Sequence, residues 1–466
     1  MRKMKRLFPF ALIVCIAMGV VPFSSCNETN ENVLRIASWD EYIDEGGEES
    51  YVEGSAPMYE EFETWYKKTY GKEITVEYVT LQDNETMYNQ IKMGNSYDLL
   101  CPSEYMCMKL ANEKWLQKFP TEFFNPSIEH NYYAQNVSPY IHDIKDSTNG
   151  VFNNKQMKLE DGNSLAEYVA GYMWGTTGFV FNPKKVEKDD VKSWNVLLSD
   201  KYKRKITAKD NVRDSYFMGL GMHYENKLLA LKERYQKNEI TVQQYKNELF
   251  EKMNDTGSET ISSVQTLLEK MRRNLYGLET DEGKLDVITG RFDISYQWSG
   301  DAVYTMDMDE ESEISDEPLY LEYAIPESAS NLFFDAWVLM KNCKNVEAAT
   351  AFVNFISMPE NVVRNMYYIG YTSCISGPQN GENEIYDYLN ETYGYDEEED
   401  VDDTPYSYDL SYFFGENHIL TVPESQKRRQ IFAQYPDTET IERLVVMKTF
   451  PKSVNETLNR MWNSIK

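Results

Sequence analysis

Four short stretches set an aromatic ring beside a carboxylate or hydroxyl: Trp39-Asp40-Glu41-Tyr42, Ser103-Glu104-Tyr105, Trp298-Ser299-Gly300-Asp301 and Phe333-Phe334-Asp335-Ala336-Trp337. Carboxylates accept the N–H bonds of an organic ammonium, and ring faces attract its charge. One such stretch carries little weight, because a Trp at a strand end commonly belongs to a core. Four at comparable positions point to a cleft for an amine. Catalytic patterns are missing. There are four His residues (His130, His142, His223, His418), and no HExxH, GxSxG, P-loop or GxGxxG occurs. Acid pairs leave a glycosidase open, but 76 acidic residues bring pairs together by chance. A non-enzymatic chain with no cofactor and no metal is expected. The formal net charge of −29 argues against nucleic acid, whose phosphates need Lys and Arg, and favours cations.

These residues need strand ends to hold them. The runs 33–37 and 74–79 read as strands. Asp83 or Asn84 caps a helix with Met87 and Ile91 on one face, and 97–101 reads as a short buried strand, together a βαβ unit with a parallel sheet. Residues 171–182 (GYMWGTTGFVFN) read as two strand segments around a glycine-rich crossing, and 223–272 as helical. Residues 292–298 read as a strand ending at Trp298, and 345–356 and the C-terminal segment as helices. The acidic, aromatic stretch 377–405 reads as a solvated loop without the spacing of a calcium loop. Ligands of open parallel sheets bind beyond the carboxyl ends of strands, where the four stretches fall.

The N-terminus addresses export. Arg2, Lys3, Lys5 and Arg6 precede an apolar run from Leu7 to Val21, too short to span a bilayer, so 1–25 reads as a signal peptide. Small residues before Cys26 resemble a lipobox and predict lipidation there, despite the unusual Phe23. The alternative is an ordinary signal with an incidental Cys26. Cys101, Cys107, Cys343 and Cys374 match no metal or redox spacing and are expected as buried thiols.

Taken in order, LRIASWDEYI, NETMYNQIKMGNSYDLLCPSEYMCMKL, YMWGTTGFVFNPKKV with SWNVLL, QWSGDAV, FFDAWVLMKNCKNVEAATAFVNFI and YPDTETI resemble the family of bacterial spermidine/putrescine-binding proteins, solute receptors of polyamine ABC transporters. The resemblance covers most of the chain apart from insertions near 45–60, 223–263 and 378–430. It implies an α/β, two-lobed periplasmic-binding-protein fold (type II), each lobe a mostly parallel sheet flanked by helices. The implied division is a lipidated tether over 26–32, lobe 1 over 33–168 and 333–376, lobe 2 over 169–332 with a helical insertion at 223–263, an acidic insertion at 377–430, and a helical segment on lobe 2 over 431–466.

By local match the resemblance implies ligand contacts at Trp39, Asp40, Glu41, Tyr42, Ser103, Tyr105, Asn211, Asp214, Thr280, Trp298, Phe333 and Asp335. Asp335 would grip an inner amine and Trp298 would stack. Asn211 stands where the family has a second carboxylate, Phe333 where it usually has Trp, and Met447 near a family Gln contact. Implied partners are a polyamine, an ABC permease and, through the lipid anchor, the membrane. The expected state is a monomer outside the cytoplasm. Other readings are a receptor for another cationic or small organic solute, an extracytoplasmic glycosidase, or a surface adhesin.

Overall fold

The computed structural model describes residues 32–146, 150–279, 285–311 and 317–466. The leader 1–25, Cys26 and Thr280 lie outside them. In chain order the strands are β1 (Val33–Trp39), β2 (Thr75–Leu81), β3 (Leu99–Leu100), β4 (Val169–Phe181), β5 (Ile206–Lys209), β6 (Gly277–Glu279), β7 (Ile294–Trp298), β8 (Glu322–Ala324), β9 (Ser330–Leu339), β10 (Thr372–Ser373), β11 (Pro405–Asp409), β12 (Ile419–Pro423) and β13 (Leu444–Val445).

In the first lobe β1 pairs in parallel with both β2 and β3. Parallel strands need crossovers, supplied here by two helices. Met58–Tyr70 buries Met58, Phe62 and Tyr66 at four-residue spacing and stops at Gly71, whose φ of 68° suits the left-handed cap. Asn84–Lys92 buries Met87 and Ile91 and is capped by Asp83, which accepts from the Thr86 N–H at 2.6 Å. In the second lobe β5 pairs in parallel with β6 and β7.

Two long strands tie the lobes together. β4 is buried throughout, and its first part runs antiparallel to β9, its last part to β7 and β8. The expectation of two segments over 171–182 is corrected: one strand of 13 residues serves both lobes. Continuous burial on both faces removes any need to break it, and Gly171, Gly175 and Gly178 leave room for neighbouring side chains. The resulting sheet order is β2-β1-β3-β9-β4-β7-β5-β6.

One apolar core gathers around β1, β3 and the 346–356 helix, with Trp337 and Phe352 inside it. A second gathers around Trp194, Tyr296 and the helices Val212–Gln236, Val242–Met253 and Ser258–Asn274. The C-terminal helix Lys452–Ile465 buries Leu458, Met461, Trp462 and Ile465 in that second core. The stretch 377–405 is also corrected. Part of it forms the helix Glu384–Tyr393, which buries Ile385, Tyr388, Leu389 and Tyr393, because these apolar side chains share one helical face. The acidic 397–399 remain exposed. All four described cysteines are free and buried, as expected. Among the described residues no helix is long and apolar enough to cross a membrane.

Candidate ligand-binding cleft

Strand register brings the predicted residues together. Asp335 on β9 lies opposite Met173, Phe333 opposite Gly175, and Trp298 on β7 opposite Thr177. Positions 173, 175 and 177 have the same parity on β4, so Asp335, Phe333 and Trp298 stand on one face of the sheet. Residues 173 and 177 are about 13 Å apart along a strand. Gly175 fills the gap: a Cβ there would press on Phe333 and Ser299.

On the first-lobe side, Asp335 is 6% exposed. Tyr42 donates to its Oδ2 at 2.6 Å and Ser103 to its Oδ1 at 2.7 Å, and the Trp39 side chain adds a further hydrogen bond. Ser103 is itself fixed by Asn84, which donates to Oγ at 2.9 Å and accepts from the Ser103 N–H at 3.1 Å. Burial pushes the Asp335 carboxyl above its ordinary range, and the three neutral donors pull it back. No described Lys or Arg forms an ion pair with it. Tyr42 packs edge-on against Tyr371 at 5.6 Å and Tyr172 at 5.5 Å.

On the second-lobe side, Trp298 hydrogen-bonds Asp214, a buried carboxyl that burial pushes up to about 6 against the opposing charges of Lys209 and Arg213. Lys209 pairs with Asp301 at 2.7 Å, and its Nζ lies 4.4 Å from the Trp298 ring centroid. Glu279 accepts from Ser295 at 2.7 Å and Thr207 at 2.9 Å, and burial raises it to about 7. At the cleft, two tyrosines reach from the first lobe to the second. Tyr371 donates to Asp301 at 3.2 Å, and the Arg213 guanidinium lies 4.7 Å from the Tyr105 ring. Tyr105 also donates to Glu85 at 3.2 Å.

Not every predicted residue joins this cluster. Asp40 and Glu41 are exposed and act on Glu45, which they and its burial push upward. Neither bonds to the Asp335 group. Asn211 caps the Val212–Gln236 helix, its carbonyl accepting from the Arg213 and Asp214 N–H groups at 2.8 and 3.2 Å. Met447 is buried in the second core. Thr280 lies outside the described residues.

Sequence reasoning missed Lys209, Asp301, Tyr371 and Glu279 as members of the site, and left Glu104 in its motif without a role. Glu104 is 2% exposed, its Oε2 finds no hydrogen-bond partner among the described residues, and burial and Asp335 both raise it. Membership of an aromatic–acid stretch was the available signal for Glu104 and Asp301. Lys209 had none.

Trp39 and Trp298 end their strands as expected, but Phe333 and Asp335 lie within β9 rather than at its end, because that strand crosses between the lobes. A two-lobed fold with an aromatic and acidic cluster gathered at the crossing strands is that of a solute-binding protein. The model of the family "Bacterial extracellular solute-binding protein" matches residues 58–385, and the chain belongs to that family. It is 22% identical over 358 residues to the spermidine/putrescine-binding periplasmic protein of Salmonella typhimurium, covering 76% of this chain and 80% of that one. The solved structure of the spermidine/putrescine ABC transporter substrate-binding protein of Streptococcus pneumoniae matches with a TM-score of 0.57 at 23% identity, over 93% of this chain and 98% of that one. A lipoprotein of Treponema pallidum matches with a TM-score of 0.56 at 16% identity, over 93% and 99%.

Proposed function

We propose that this protein is a non-enzymatic receptor that captures a polyamine of the putrescine/spermidine class between its lobes and delivers it to an ABC permease. It would work as a monomer outside the cytoplasm, tethered through a lipid on Cys26 after loss of residues 1–25. The observation that carries the reading is Asp335: a buried carboxylate met by the neutral donors of Tyr42, Ser103 and Trp39, with no described ion-pair partner. A buried charge left this way is costly, and a ligand ammonium completes it. Trp298 and Phe333 would flank the aliphatic chain, and closure of the lobes would shut out water. Tyr105 and Asp214 would border the ligand from opposite lobes. The names of the relatives agree with an amine ligand.

Thermal shift and isothermal titration with putrescine, cadaverine, spermidine and spermine test the reading. A ligand at 100 times its Kd adds about 2.7 kcal/mol of stability. Asp335→Ala should fold and lose about 2–5 kcal/mol of amine affinity. Unchanged affinity in that variant contradicts the assignment.

A further inference from the structure

Trp298 already carries an ammonium. Lys209, the last residue of β5, crosses the indole face with Nζ 4.4 Å from the centroid and pairs with Asp301 at 2.7 Å. Their side chains are only 3% and 7% exposed. Tyr371 donates to the other Asp301 oxygen at 3.2 Å. The parallel register of Thr207 with Ser295 fixes the arrangement, because it carries the end of β5 alongside the end of β7. A lysine this dry is no solvated surface charge. Ring face, carboxylate and tyrosine hydroxyl together offset its desolvation. An aromatic face plus a carboxylate is the chemistry expected of an ammonium subsite, and here the chain satisfies it from within.

We propose that Lys209 fills the second-lobe ammonium position of the cleft, so that the ligand brings one cationic end, to Asp335, and a neutral, hydrogen-bond-accepting end to Trp298 and Lys209. Monoacylated or hydroxyl-bearing primary amines are then preferred to fully protonated tri- and tetraamines. The proposal rests on the amine reading of Asp335. Asp301 is already committed to Lys209. Asp214, Asp301 and Glu279 on the second-lobe side all feel Lys209, and Asp214 also feels Arg213. A second ligand ammonium there meets a like charge at close range, which is an element of discrimination. Asp335, on the first-lobe side, carries no such resident cation.

Isothermal titration of the wild type with N-acetylputrescine, putrescine and spermidine provides the test, alongside Lys209→Met and the double variant Lys209→Met/Asp301→Leu, with folding checked by circular dichroism. The wild type is expected to bind N-acetylputrescine at least tenfold more tightly than spermidine. Lys209→Met removes the ammonium but keeps Asp301, so spermidine should gain at least tenfold relative to N-acetylputrescine; the double variant should lose that gain. Wild type preferring spermidine, or a folded Lys209→Met with unchanged ranking, overturns the role of Lys209 and leaves the amine reading standing. A wild type that binds none of the three amines overturns both. The wild-type ranking decides the matter even where a variant fails to fold.

Discussion

Tyr42 and Asp335 lie 293 positions apart and meet through a 2.6 Å hydrogen bond, the phenol donating. The bond joins the loop after β1 to the strand that crosses between lobes. It stabilises the ionised carboxylate in a place where burial opposes it. The same tyrosine ring leans on Tyr371, whose hydroxyl reaches Asp301 in the other lobe. A side chain that readies the cleft for charge therefore also sits on the route between the two halves.

Tyr42→Phe keeps the ring and removes the donor. Hydrogen bonds to charged groups are worth about 1.5–3 kcal/mol, so amine affinity should fall by about that much with the fold intact. Titration calorimetry beside a denaturation curve checks it. A loss of stability with affinity unchanged would make Tyr42 a packing residue only.

Affinity should weaken as pH falls through about 6. Asp214 is pushed up to about 6 and Asp335 also lies above its ordinary range, both chiefly by burial. Ligand-free Asp214 takes up a proton in this window, whereas an aliphatic ammonium stays charged, so binding must release that proton. Calorimetry at pH 6 in buffers of different ionisation enthalpy should show proton release that vanishes by pH 8. Constant affinity from pH 8 to 5 would contradict the placement of these carboxylates at the ligand.

Gly300→Ala should disturb the contact between lobes. A Cβ at this position collides with the Tyr371 ring, which packs against the start of the Ser299–Glu311 helix. Overpacking of this kind costs about 1–3 kcal/mol, and displacement of Tyr371 should weaken ligand binding as well. Urea denaturation and calorimetry measure the two effects, and a variant matching the wild type in both would rule the contact out.

Arg364→Leu tests the first lobe away from the cleft. Arg364 pairs with Asp44 at 2.8 Å and Glu61 at 2.6 Å, and Asp44 is fully buried. Removing one partner of a buried pair costs about 3–5 kcal/mol because the other charge is stranded. Chemical denaturation should show a loss of that size, while any amine affinity of the remaining folded protein stays near the wild-type value.

Much of this site was legible. Residues that must meet a cation are chemically distinctive, so Trp39, Tyr42, Ser103, Trp298 and Asp335 stand out in short aromatic–acid stretches, whereas Asp214 was implied only by the family resemblance. Strand ends could be placed because apolar runs and their turn residues mark them locally. What the residue types did not show came from the fold around them. Asn211 stands where the family has a carboxylate, and its side-chain carbonyl caps its own helix. The 377–405 stretch reads as solvated because its acids dominate the composition, although Tyr388, Leu389 and Tyr393 find a buried helical face.

By itself the order of amino acids determined the acidic, aromatic chemistry, the alternation of strand and helix, and which residues could grip a cation, since each follows from side-chain type or local periodicity. Tertiary structure alone decided which charges are neighbours. Lys209 lies 92 residues from Asp301 and looks like any other lysine until β5 is laid beside β7. Only then do ring, carboxylate and ammonium come together out of water, where Coulomb attraction and desolvation are both large enough to decide what the cleft accepts.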